Sequence, residues 1–275
     1  MVDLAPDPLP ATTAPTAEST ASGPARPRAA TLPSVPYVGW GLRRSWTLFT
    51  EHRKKPVDPP PSFYRLVAAD SVRQLSRYVS VAGQSVLDVG GGPGYFRDAF
   101  LEAGSRYCWI EPDVSELAVT DVPGRIRGSA LALPVRTDSV DICYTSNVLE
   151  HVPDAWQMCS ELVRVTRPGG LIYLSYCSWL SPWGGHETAP WHYLGGRRAQ
   201  ARYERLNGEP PKNIYGETMF PVYVGDTLAW ARSRQDVVVI DALPRYLPDW
   251  SKPILKVPGV REVLTWNLLL ILRKI

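Results

Sequence analysis

The stretch from Ser85 to Arg97 constrains the fold of this chain more than any other. It reads Ser-Val-Leu-Asp-Val-Gly-Gly-Gly-Pro-Gly-Tyr-Phe-Arg. Val86, Leu87 and Val89 form a short apolar run interrupted only by Asp88, glycines follow, and a helical pattern begins near Tyr95. That order predicts a strand, a tight loop and a helix start. Glycine reaches backbone angles closed to other residues and lets a ligand approach the main chain, so Gly90, Gly91, Gly92 and Gly94 read as a binding loop.

Such loops also serve dinucleotides, where a G-x-G-x-x-G fingerprint sets the pyrophosphate at a helix N-terminus. Gly90 and Gly92 supply the first two glycines here, but Tyr95 stands where the third belongs. A carboxylate at Asp88 would repel phosphates and suits a ligand carrying a cationic amine. S-adenosylmethionine, with its α-amino group and sulfonium, is such a ligand.

On these residues the stretch resembles the first motif of the class I S-adenosylmethionine-dependent methyltransferases, in which strand, loop and helix cradle the methionine and ribose end of the cofactor. The resemblance implies cofactor-binding roles for Asp88, Gly90, Gly92, Gly94 and Tyr95. Tyr107 to Ile110 reads as a second strand followed by Glu111, about 20 residues beyond the loop, where an acid accepts hydrogen bonds from ribose hydroxyls. Gly128 to Pro134 resembles the segment that flanks the adenine; Ser129 holds the place of a frequent aspartate, so the contact falls to Ser129 or to the backbone at Ala130.

Ser139 to Val148 reads as a fourth strand running into Leu149-Glu150-His151-Val152, with Asn147 at its end as a further cofactor-binding position. Methyltransferases that act on nucleic-acid bases carry an Asn- or Asp-Pro-Pro-aromatic motif there. Ser146-Asn147-Val148-Leu149 resembles instead the small-molecule enzymes with a Leu-Glu-His signature. Some of those hold a divalent metal with two acids and the histidine. Glu150 and His151 match two ligands, but Asn147 replaces the first acid, so no metal site is expected. Asp154 caps the next helix, Arg167-Pro168-Gly169-Gly170 stops it, and Leu171 to Cys177 is the fifth strand. The resemblance thus runs from Ser85 to Cys177 in the family's order.

Around it, residues 1–36 are rich in proline, alanine, threonine and serine and read as a disordered tail. Residues 37–80 are expected to hold two helices, the second capped by Ser62 and packed on the sheet, the first a candidate lid with Arg53, Lys54 and Lys55 near an acidic lipid surface. Residues 81–275 form the methyltransferase domain, with 178–224 as a substrate-cap insertion rich in aromatics, among them Trp179, Trp183, Trp191 and Tyr215. Aromatic faces suit sugar rings, polyketide rings or acyl chains. Within the insertion, a helix from Arg197 to Leu206 carries four arginines. Asp226 is expected to cap a last helix, and Val237 to Ile240 and Val263 to Leu272 to form the final two strands as a hairpin. The fold class is α/β, a Rossmann-like doubly wound seven-stranded sheet with an antiparallel last strand.

Methyl transfer needs acceptor and methyl aligned and water excluded, and a hydroxyl acceptor must also lose its proton. Histidine suits that step near neutral pH. His186, on a glycine-flanked turn past the fifth strand, ranks first as base, His192 second and His151 third, with proximity alone as the competing reading. The expected reaction is O-methylation of a small molecule, saccharide or glycolipid hydroxyl. The alternatives are a nicotinamide oxidoreductase and a non-catalytic cofactor-binding protein.

Net charge is +3, from 30 Lys and Arg against 27 Asp and Glu, too balanced for a nucleic-acid footprint. Cys108, Cys143, Cys159 and Cys177 form no C-x-x-C pair and read as buried thiols of a reducing compartment. Met1 to Pro10 show no secretory signal, and Leu268 to Leu272 is far shorter than a bilayer span of about 20 residues, so a cytoplasmic location without membrane insertion is expected.

Overall fold

The computed structural model describes residues 41–53, 61–112 and 123–275. The tail expected over 1–36 and the basic pair Lys54 and Lys55 lie outside them. Two helices, α1 (Leu42–Arg53) and α2 (Pro61–Leu75), precede β1 (Ser85–Val89), α3 (Tyr95–Glu102), β2 (Arg106–Glu111), β3 (Arg125–Arg127) and β4 (Val140–Ser146). Then come α4 (Ala155–Val165), β5 (Thr166–Cys177), α5 (Gly196–Asn207), α6 (Val224–Ser233), β6 (Val237–Pro244), α7 (Val260–Leu264) and β7 (Asn267–Lys274).

The sheet has seven strands in the order β3-β2-β1-β4-β5-β7-β6. The first five in sequence pair in parallel, and β7 runs antiparallel to both β5 and β6. This is the doubly wound sheet with an antiparallel last strand. Side chains on a strand alternate between faces, so Val86 joins a core with α1, α2 and α3 while Leu87 and Val89 join one with α4 and α6. Leu268 to Leu272 is buried on both faces, which is why its apolar run is continuous rather than alternating.

Several local expectations shift. β5 begins at Thr166, before the Arg-Pro-Gly-Gly segment, which the strand absorbs as a register shift between Val140 and Ile142 of its neighbour. Residues 260–264 are helical, so β7 starts later than expected and β6 and β7 are not joined by a tight hairpin. The α6 terminus is capped not by Asp226 but by Glu262, whose carboxylate accepts from Val224 N at 2.7 Å and Gly225 N at 2.8 Å. Ser62 lies inside the first turn of α2, which starts at Pro61, where a missing N–H is harmless.

α1 is anchored to α2. Arg44 donates to both oxygens of Asp70, at 2.7 and 2.5 Å, in a buried bidentate pair, and its Nη2 also donates to the Arg245 carbonyl at 2.9 Å. Arg245 itself is fully buried beyond β6. Its guanidinium donates to Ser146 Oγ at 2.7 Å, Ser175 Oγ at 2.6 Å and Ser71 Oγ at 2.6 Å, tying β4, β5 and α2 together at the carboxyl end of the sheet. Sequence patterning gave no signal for it, because its partners are serines on three separate elements.

Candidate active site

Open parallel sheets bind ligands beyond the carboxyl ends of their strands, and the β1 loop leaves from that edge. Gly90, Gly92 and Gly94 have φ of 81°, 51° and 86°, in the left-handed region that favours glycine. A Cβ on Gly90 would stand 2.3 Å from Val148, and one on Gly91 would stand 2.7 Å from Trp109, so these two are required by close packing. Gly92 instead faces open space, and its N–H donates to Glu111 Oε2 at 2.9 Å. Loop and acid, 19 residues apart, therefore meet at the carboxyl edge of the sheet.

The other predicted cofactor positions divide. Tyr95 opens α3 and stacks on Tyr64 of α2 at 5.0 Å. Ser129 is exposed, and its hydroxyl accepts from Leu131 N at 3.1 Å in its own turn, with Ala130 half-buried beside it. Asn147 holds a left-handed φ of 58°, and its Oδ1 accepts from Asn267 Nδ2 at 2.7 Å. Asp88 requires a correction: it is 1% exposed and accepts from the Tyr107 hydroxyl at 2.5 Å. Burial pushes its carboxyl up to about 7, against the opposing effect of the Tyr107 hydrogen bond. It supports the loop from beneath and does not present a carboxylate to a ligand amine.

A second group gathers past β4 and β5. Glu150 is 2% exposed; its Oε1 accepts from Cys177 N at 2.8 Å, and its Oε2 is buried without a hydrogen-bond partner. His151 Nδ1 lies 2.8 Å from the Thr218 carbonyl, which places the proton on Nδ1 and leaves the lone pair on Nε2. His186 follows a glycine pair, with a φ of 46°, and its ring meets that of His151 edge-on at 5.1 Å. Its Nδ1 is 3.3 Å from Asn213 Nδ2, which also donates to Glu187 at 2.9 Å. Glu150, His151 and His186 each offer one ligand atom, all within 4.8 Å of one another.

Of the three histidines expected as bases, the structure brings His151 and His186 together and removes His192. The latter is 1% exposed, with Nε2 3.1 Å from the Ser181 carbonyl and its ring packed under Gly185 and against Trp179. His186 is displaced from first rank as a free base, because burial, reinforced by His151, pushes it down to about 3. Its imidazole is neutral near pH 7 and holds an added proton weakly.

An apolar groove of about 760 Å³ opens between α1, the turn after β5, the segment after β6 and α7. Trp183 and Trp266 stack at 4.2 Å on its wall, and Phe49 meets both edge-on. Trp46 and Trp250 stand at its mouth, 66% and 69% exposed. Only Pro182 and Trp183 of the aromatic insertion line it. Trp179, Trp191 and Tyr215 lie elsewhere, and Arg202 of α5 stacks on Trp191 at 4.1 Å. Sequence reasoning missed Tyr246, Trp250, Leu264 and Trp266, whose aromatic and leucine side chains are indistinguishable from core residues in sequence.

Residues 87–174 match the family described as a methyltransferase domain. A protein of Mycobacteroides abscessus described as an uncharacterized methyltransferase is 47% identical over 247 residues, covering 84% of this chain and 94% of that protein. The chain belongs to the class I S-adenosylmethionine-dependent methyltransferases. A second methyltransferase, of Mycobacterium marinum, is 48% identical over 243 residues, covering 84% of this chain and 94% of its own. An S-adenosylmethionine-dependent methyltransferase structure from Mesorhizobium loti shares the fold with a TM-score of 0.51, at 19% identity, covering 74% of this chain and 97% of that one.

The cofactor of this methyltransferase is S-adenosylmethionine, and the nicotinamide alternative is set aside. The loop fits the group: Gly92 leaves open space where any other residue would place a side chain, and Glu111 stands at hydrogen-bond distance from that same residue. Among the described residues, no helix of the methyltransferase is long and apolar enough to cross a membrane.

Proposed function

We propose that this methyltransferase O-methylates a hydroxyl on an amphipathic acceptor, with a glycolipid the best fit among small molecules, saccharides and lipids. One observation carries the reading: a single turn, from Trp183 to His186, contributes to both the apolar groove and the acid and histidine cluster. Trp183 lines the groove, and its carbonyl accepts from His186 N at 3.0 Å, so one turn serves both. An acyl chain along Trp183, Trp266 and Ile254 would leave a polar headgroup near His151 and His186.

In this reading Glu111 accepts the ribose hydroxyls, the 90–94 loop approaches the methionine moiety, Ser129 and Ala130 flank the adenine, and Asn147 borders the transfer site. The bound cofactor supplies an already activated methyl on a sulfonium. The protein aligns the acceptor oxygen and excludes water. The hydroxyl proton passes to water at the Glu150, His151 and His186 cluster. Residues 178–224 act as a cap through His186, Asn213 and Thr218, which hold the two imidazoles in place.

The test is transfer of a labelled methyl group to three matched acceptors: a free saccharide, the same saccharide on an acyl chain, and an amine analogue of the latter. The acylated hydroxyl acceptor is expected to show kcat/KM about 10-fold or more above the free saccharide, the value of burying a few methylenes. Equal rates with and without the chain, or preference for the amine, would overturn the reading.

A further inference from the structure

We infer that Glu150, His151 and His186 form a binding site for a divalent cation of the zinc class. The inference rests on the proposed placement of the acceptor hydroxyl only for its chemical role; binding itself is independent of the acceptor. Two histidines and a carboxylate with an open position are the donor set of catalytic zinc sites, whereas magnesium prefers oxygen ligands.

Three observations converge on it. The first is the buried Glu150, with Oε1 satisfied by the Cys177 amide and Oε2 buried without a partner. A carboxylate oxygen in that state is costly unless an ion or ordered water completes it. The second is His151, whose Nδ1–H is held by the Thr218 carbonyl at 2.8 Å. Metal-bound histidines have their other ring nitrogen fixed in this way, and the lone pair on Nε2 is then directed outward. The third is His186, 35 positions along the chain from His151 (186 − 151), held at a left-handed φ of 46° where a side chain is unfavourable. Such strain persists where surrounding structure imposes it and gathers at functional sites.

The three ligand atoms lie within 4.8 Å of one another. Ligands at zinc bond lengths of about 2.0–2.2 Å sit about 3.4 Å apart in a tetrahedron, so rotations moving these atoms by about an ångström complete the site. Asn147, the neutral residue at the expected acid position, takes no part; His186 supplies the third ligand in its place. The fourth position is open to an acceptor oxygen. A cation there polarises the hydroxyl, whose proton passes to water while its oxygen takes the methyl and the sulfur keeps the electron pair of the broken S–C bond.

Zn²⁺ titrated calorimetrically into chelator-treated full chain is expected to bind with one-to-one stoichiometry and to raise Tm, with Mg²⁺ far weaker. Glu150→Gln keeps an acceptor for the Cys177 amide but removes the charge, and His186→Ala removes a ligand. Each is expected to weaken Zn²⁺ binding by about 100-fold or more, beyond the usual effect of losing an outer partner. All four cysteines remain in both variants, so binding by thiols would not change. S-adenosylhomocysteine binding measured on the same samples reports folding and the cofactor site. Zn²⁺ affinity unchanged in His186→Ala, or no binding by the wild-type chain with S-adenosylhomocysteine binding intact, would overturn the site. Zn²⁺ binding lost in both variants, together with failure of every hydroxyl acceptor, would leave the site standing and refute the acceptor reading alone.

Discussion

The two halves of the sheet's carboxyl edge are built differently. On the β1–β2 side, each piece of the proposed cofactor cradle is a short contiguous segment: the 90–94 loop, the single acid Glu111, and the turn at Ser129. On the β5–β7 side, the groove takes its walls from α1, from Pro182 and Trp183, from 246–254 and from 263–266. A cradle made at strand ends inherits its geometry from the sheet. A groove assembled from four segments exists only when all of them dock.

Four measurements break or sharpen that contrast. The largest effect is expected from Arg245→Ala, which removes the cation joining Ser146, Ser175 and Ser71 and leaves two buried hydroxyls and one half-buried hydroxyl without it. Urea unfolding should show a loss of about 3–5 kcal/mol. A loss below about 1 kcal/mol would mean that the two halves do not depend on this tie.

Next in size is a pair of opposed pH dependences. Asp88, in the cofactor half, has its folded pKa raised from 3.8 to about 7, so the folded state keeps a proton that the unfolded chain has released. Its contribution is fully present below about pH 4 and is lost as pH rises to about 7, on the order of 4 kcal/mol. His52, buried against Trp266 beside the groove, is lowered by burial from 6.5 to about 4, so it is neutral when folded while the unfolded chain takes up a proton. Its contribution is present above about pH 6.5 and is lost as pH falls to about 4, on the order of 3 kcal/mol. His186, also lowered by burial, adds a second contribution of the His52 sign, so wild-type stability measured from pH 4 to 8 should fall as pH drops below about 6.5, with Asp88 opposing part of that fall. Asp88→Asn should steepen that fall, and His52→Leu should lessen it.

Glu111→Ala comes third. Losing an ionised acceptor costs about 1.5–3 kcal/mol, or about 10- to 150-fold in S-adenosylmethionine affinity by calorimetry, with acylated-acceptor binding unchanged. If acceptor binding fell equally, the halves would be coupled rather than separable. The smallest effect belongs to Trp250→Ala at the groove mouth: a rise in acceptor KM of about 5-fold, with Tm and cofactor affinity held. An unchanged KM for the acylated acceptor would remove that tryptophan from acceptor binding.

Legibility followed the same division. The Asp-Val-Gly-Gly-Gly-Pro-Gly loop, the acid at the end of β2, the Asp154 cap and the strand sequence up to Cys177 were readable because each depends on residues adjacent in the chain. Even there, the orientation of Asp88 was not: whether a polar residue on a strand points into a core or toward a ligand depends on what covers that face, and α2 and α3 cover it. Of the histidines, sequence ranked His186 first and His192 second as candidate bases, and packing then separated them.

The sequence by itself determined the class of fold and the cofactor, since glycine conformational freedom and alternating apolar residues act over a few bonds. Tertiary structure alone decided that His186 meets Glu150 and His151, that Arg245 is the buried tie, and that aromatic residues from distant segments leave a groove rather than a filled core. Those outcomes depend on packing between segments far apart in the chain, and no local pattern carries that information.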